Sequence, residues 1–175
     1  MLVKIKLFKL AYVQYFISNY HFKLMKQENL KKKLLDFCLK QQYERLETAQ
    51  KAVEDAAETA MQEDTSVEEK TESFRTQMQA ERDMFIKQLS EAREGLHTLH
   101  KIELDRPLDT AVLGAVVITN TQKLFFATNI GQIKIENDTF FAISLEAPLA
   151  KAVMGKRVGE SFTFRDKTSQ VLEVF

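Results

Sequence analysis

The stretch ISLEAPLAKAVMGKRVGESFTF, residues 143–164, decides the fold. Ile143 and Ser144 close a run rich in β-branched and aromatic residues that starts at Thr139, which reads as a strand. Pro148 can occupy the first turn of a short helix through Met154, and Gly155 is placed to end it. Gly159-Glu160 supplies a turn before a second strand, Ser161 to Phe164. A strand, a short helix, a glycine turn and a strand within so few residues describe a small α+β unit.

Working outward, Asp166 to Thr168 forms a tight connection into a strand over Gln170 to Phe175. Upstream, Val112 to Ile118 suggests a first strand and Leu124 to Ala127 a second, while Ile133 and Ile135 flank Lys134 in strand-like alternation. Residues 110–175 are therefore expected to form a small, mainly antiparallel sheet domain with one short helix. Phe125, Phe126, Phe140, Phe141, Phe162 and Phe164 are its expected core and flank, with one or two of them available to a docking face.

The preceding chain has a different period. Between Lys26 and Gln62 there is neither glycine nor proline. Leu35, Leu39, Gln42, Leu46, Ala49, Val53, Ala56 and Ala60 recur at alternating steps of four and three, the seam of a coiled coil with one polar position. Asp64, Thr65 and Ser66 interrupt it, and Ser66 with Glu69 three positions later fits a helix-capping box. A second amphipathic pattern follows through Phe74, Met78, Phe85, Leu89, Ala92, Leu96 and Leu99, until Arg106-Pro107 marks a boundary. Two long helices joined by a short link predict an antiparallel hairpin over residues 25–104, with its far end near 63–72. The first helix, opening near Met25, is expected to be about 50 Å long at 1.5 Å per residue.

Residues 143–164 resemble the signature of the Gre-type bacterial transcript-cleavage factors: Ile143, Ser144, Pro148, Gly155, Lys156, Val158, Gly159 and Glu160 stand in the family's order and spacing. The likeness extends more loosely over Gly114 to Phe175, and the hairpin is the other half of Gre architecture. The resemblance implies an FKBP-like C-terminal domain that docks on bacterial RNA polymerase without prolyl isomerase activity. It also implies a transcription elongation factor that is a cytoplasmic monomer, not an enzyme itself and with no cofactor of its own. The hairpin would enter the polymerase's secondary channel. Acidic residues at its tip would then help hold the second catalytic magnesium and orient water, so that the polymerase hydrolyses its own backtracked RNA 3′ end.

On that resemblance the family's aspartate and glutamate, three residues apart, match Glu69 and Glu72, the expected catalytic and magnesium-sharing pair. Their spacing puts both carboxylates on one face of a first helical turn. Glu68, Lys70 and Arg75 are the expected contacts to polymerase or RNA. The tip departs from the pattern: Val67 and Glu68 stand where the family often carries glycine before its aspartate, and Glu69 is one methylene longer. Two other readings are compatible with these residues. One is a Gre-like regulator that enters the channel without promoting cleavage, or that inhibits the enzyme. The other is a structural module whose hairpin binds another protein.

Lysines and arginines equal aspartates and glutamates at 25 each. The balance is uneven, because Glu54, Asp55, Glu58, Glu63, Asp64, Glu68, Glu69 and Glu72 concentrate negative charge at the hairpin's far end. The C-terminal domain is close to neutral. Direct DNA contact belongs to the family expectation, and composition gives no independent reason for strong DNA binding. Cys38 is the one cysteine, which excludes an internal disulfide and a cysteine-based metal site. His21, His97 and His100 lie far from the acidic segment in sequence. Residues 1–24 are read as an upstream extension. Their uncharged run, Leu10 to Phe22, is short and polar for a membrane span, and no membrane role is expected. A membrane-associating or exported segment, or an additional helix or strand, are the other readings of these residues.

Overall fold

In a computed structural model the backbone is described for residues 2–64 and 72–175, and side chains for residues 21–59, 72 and 74–175. The chain is α+β. Two long helices, α1 (Leu2–Asp64) and α2 (Glu72–His100), precede a six-stranded sheet that carries one short helix. The strands are β1 (Val116–Thr119), β2 (Lys123–Ala127), β3 (Gly131–Ile135), β4 (Asp138–Ser144), β5 (Ser161–Phe164) and β6 (Lys167–Val174), and α3 spans Pro148–Val153.

The helices form an antiparallel hairpin. Leu35 and Cys38 share a cluster with Leu99, Gln42 reaches Ala92, and Thr48 lines a cleft with Gln88, so height rises along α1 as it falls along α2. Among the described side chains the seam expected from the sequence is the one observed, and Ala60 lies outside them. Leu35, Gln42, Ala49, Ala92, Leu96 and Leu99 are buried, and Leu39, Leu46, Val53, Ala56, Phe74, Met78, Phe85 and Leu89 are half-buried. Burial fades toward the far end because leucines give way to alanines, and each turn there removes less apolar area from water.

Helix α1 differs from expectation in length. It begins at Leu2 rather than near Met25 and runs 63 residues, about 95 Å at 1.5 Å per residue. No glycine or proline occurs anywhere before Gly95, so nothing in the local chemistry stops the helix near Met25.

Strand order in the sheet is β3-β4-β2-β1-β6-β5. Four of the five ladders are antiparallel, and the fifth, β2 with β4, is parallel. It arises because β3 lies at the edge and β4 returns beside β2, with Lys123 opposite Phe140 and Phe126 opposite Ile143.

The sheet has an apolar layer on each face. On one, Val116, Phe125, Ile133 and Phe140 pack against Leu34, Leu35, Cys38, Leu99 and Ile102 at the base of the hairpin. On the other, Val117, Leu124, Phe126, Phe162 and Val171 pack under Ala150 and Val153 of α3. The period-two alternation of strands sends the adjacent Phe125 and Phe126 to opposite faces. Phe164 is half-buried at the flank, and Phe141 is 37% exposed. The hairpin is thus rooted on one sheet face and its far end is carried away from the sheet.

The expected first strand from Val112 opens only at Val116. Gly114 (φ +82) makes a turn there, and a Cβ on it would lie 2.9 Å from Ile102 Cγ2. The turn seats the chain leaving α2 against the first strand, and only glycine fits that approach without strain.

Candidate functional site

The residues that carried the sequence resemblance act as structural punctuation. Ser144 Oγ accepts a hydrogen bond from the Glu146 N–H at 3.2 Å, and the Ala147 N–H donates to Ser144 O at 3.0 Å. These two bonds turn the chain out of β4 into Pro148, the first residue of α3, where the missing N–H costs nothing. Gly155 ends α3 at φ +75, and its N–H donates to Ala111 O at 2.9 Å. The Ala111 N–H returns a bond to Lys156 O at 3.0 Å. Glu160 accepts the Arg157 N–H at 2.7 Å on its carboxylate, which closes the turn before β5. This stretch therefore ties α3 to the chain that enters β1.

At the other extreme of the molecule is the start of α2. Glu72 is exposed in its first turn, where the unpaired N–H groups and helix dipole favour negative charge. Its carbonyl accepts from Thr76 Oγ1 at 2.9 Å. Arg75 is exposed three residues on, on the same side of the helix. Phe74 and Met78 turn inward, so packing of this end on the seam fixes which way Glu72 and Arg75 face. On α1, Glu54, Asp55 and Glu58 are exposed and extend the acidic surface along the hairpin. Glu68, Glu69 and Lys70 lie outside the described residues, as does the expected capping box at Ser66.

Among the described residues no group of three or more His, Cys, Asp or Glu side chains is placed to hold a metal ion. Glu72 as placed offers one carboxylate, so a divalent cation here needs further oxygen ligands from elsewhere. His100 is occupied at the root of the hairpin, its Nε2 3.3 Å from Tyr43 Oη. Cys38 is fully buried, and burial pushes its thiol up to about 12. No helix among the described residues is long and apolar enough to cross a membrane.

Three features of the hairpin were not singled out by sequence reasoning. Lys31 is 3% exposed, its Nζ donates to Glu103 O at 3.3 Å, and burial lowers its pKa while Asp105 opposes the shift. Arg45 Nη1 donates to Asn129 O at 2.8 Å and ties α1 to the turn after β2. Gly95 lies against Gln42, the one polar residue expected in the seam. A glycine in the interior of an otherwise strong helix pattern was the available signal for the last.

No family model matches the chain, and no curated protein matches it. Among solved structures it is similar to the transcription factor Gfh1 at 15% identity, over 78% of this chain and 92% of that chain, with a TM-score of 0.32. It is also similar to Gfh1 of Thermus aquaticus at 18% identity, over 77% of this chain and 92% of that one, TM-score 0.29. A third similar chain is GreA factor homolog 1 (Gfh1) of Thermus thermophilus, at 16% identity over 82% and 93%, TM-score 0.30. Likenesses this loose bear neither on the mechanism nor on the role of any residue.

Proposed function

We propose that this protein is an accessory factor of bacterial RNA polymerase that inserts the far end of its hairpin into the secondary channel and stimulates cleavage of backtracked RNA. The observation that carries the reading is the exposed Glu72–Arg75 pair at the end of a hairpin whose other end is rooted in the sheet domain. The Gre-like order of turn and cap residues from Ile143 to Glu160 supports it from the opposite end of the molecule.

Helix α2 alone spans 29 residues, about 43 Å at 1.5 Å per residue. A carboxylate at such a tip can act only in trans. It would contribute to magnesium held mainly by the polymerase, with Glu69 as the second ligand, and the cation would lower the pKa of the attacking water. Arg75 would offset phosphate charge on the RNA, and Lys70 and Glu68 would line the contact. The protein would bring no cofactor of its own and would have no hydrolase activity without the polymerase.

The test is RNA 3′ shortening in a purified, backtracked elongation complex with magnesium. Wild type should accelerate shortening, and Glu69→Ala/Glu72→Ala should bind without doing so. Binding with unchanged or slowed shortening by wild type would replace this reading with that of a channel-entering regulator. The departure from the family tip at Val67-Glu68 gives that alternative its footing. No binding at all would remove both.

A further inference from the structure

Two anomalies, one in each long helix, meet in the hairpin seam. Gln42 is the one polar residue among apolar seam positions of α1, and it is 3% exposed. Its Nε2 donates to Ala92 O of α2 at 3.0 Å, while its buried Oε1 has no partner among the described residues. Gly95 is the first glycine of the chain and lies inside α2. Glycine there weakens the helix relative to alanine, which raises the question of what it is for. A Cβ at Gly95 would lie 2.7 Å from Gln42 Cδ and closer still to Nε2. The glycine is the space the glutamine occupies.

We infer that Gln42 and Gly95 form a register lock, which sets how far α2 slides along α1 and therefore where Glu72 and Arg75 stand at the far end. Lys31 to Glu103 O, Tyr43 with His100 and the packing of Leu99 and Ile102 on the sheet hold the root, but the apolar seam beyond them does not set the register by itself. Leucines and alanines pack without direction, and Leu96, Leu99 and Ile102 repeat every three residues at the root. Above the root, a slip of one turn exchanges one apolar contact for another. The amide discriminates, because it reaches a carbonyl and finds room only beside Gly95. The neighbouring seam positions Leu89, Ala92, Leu96 and Leu99 all carry side chains. In a register that puts a side chain where Gly95 stands, the amide loses the room it occupies and, with it, this bond. One polar residue in an apolar seam selects register at some cost in stability, and the unpartnered Oε1 is that cost here.

That register matters to activity rests on the proposed function, but the lock itself can be tested without polymerase. Spin labels on Glu47→Cys and Gln79→Cys sit at different heights of the hairpin, so a one-turn slip of about 5.4 Å changes their separation by several ångströms. Cys38 is buried and needs no replacement. The full chain should show one distance. Gln42→Leu should add a second, displaced population while melting at or above the parent's temperature, and Gly95→Ala should also add one. A single unchanged distance in both variants would overturn the lock. Loss of folding in Gln42→Leu would overturn it too, since Gln42 would then be a stabilising residue rather than a selector. If the second population appears but wild type leaves backtracked RNA untouched, the lock stands and the proposed function falls.

Discussion

Replacing Gly95 with alanine reverses an ordinary helix rule, and the structure gives the size of the reversal. In a helix interior Gly→Ala stabilises by about 1 kcal/mol. Here the new Cβ would meet Gln42 Cδ at 2.7 Å inside a buried seam. Gln42 must give up its 3.0 Å bond to Ala92 O or force the helices apart. Displacing the amide costs about 1–3 kcal/mol, and crowding a packed seam adds about 1–3 kcal/mol. After the propensity gain, Gly95→Ala should lose about 1–5 kcal/mol relative to the parent. In a Gln42→Ala background both penalties vanish, and the same substitution should gain about 1 kcal/mol. Urea unfolding of the four proteins, followed by helical circular dichroism, yields the coupling energy directly. It should be roughly 2–6 kcal/mol. Stabilisation by the same amount in both backgrounds would show that Gln42 and Gly95 do not meet.

Three further outcomes follow from other parts of the molecule. Cys38, buried and with its thiol pushed up to about 12, should resist a thiol reagent at neutral pH and react only at the rate of unfolding, whereas an introduced Arg75→Cys should react at once. The pKa of Lys31 is lowered from 10.5 by burial, so the unfolded chain binds that proton more tightly. Stability should therefore rise with pH through the folded pKa and level off above 10.5; Lys31→Met, compared by urea midpoints across the alkaline range, should lack this slope and be no less stable near neutrality. Phe126→Ala, which opens a cavity under α3, should cost about 3–5 kcal/mol in the same unfolding assay, whereas Phe141→Ala on the exposed side of β4 should cost far less.

What the sequence discloses here depends on whether a feature is local. The seam was legible because helix packing imposes a period of three and four. The strands over Leu124 to Ala127, Thr139 to Ser144 and Ser161 to Phe164 were legible through their β-branched and aromatic content, and α3 through Pro148 and Gly155. The start of β1 was misplaced by the apolar run from Val112, because the turn at Gly114 is set by the approach of Ile102 in the chain leaving α2. The parallel ladder between β2 and β4 was hidden, since a strand's pattern names its buried face and not its neighbour. The pairing of Gln42 with Gly95 joins residues far apart in sequence, and each alone reads as a local defect. At the candidate site, the exposure of Glu72 and Arg75 could be read from their place outside the seam. Their chemistry could not be read from packing, because exposed carboxylates acquire function only from the partner that completes the coordination sphere.

The central claim is that the far end of the hairpin works inside RNA polymerase, and a tethered iron chelate tests it most directly. With the chelate on Arg75→Cys, in a complex carrying backtracked RNA, hydroxyl radicals should cut the RNA near its 3′ end and the polymerase around its catalytic magnesium. The same chelate on Lys134→Cys, exposed on the edge strand β3, should spare both sites. Cuts confined to the polymerase exterior in a complex that demonstrably contains the protein would contradict the account.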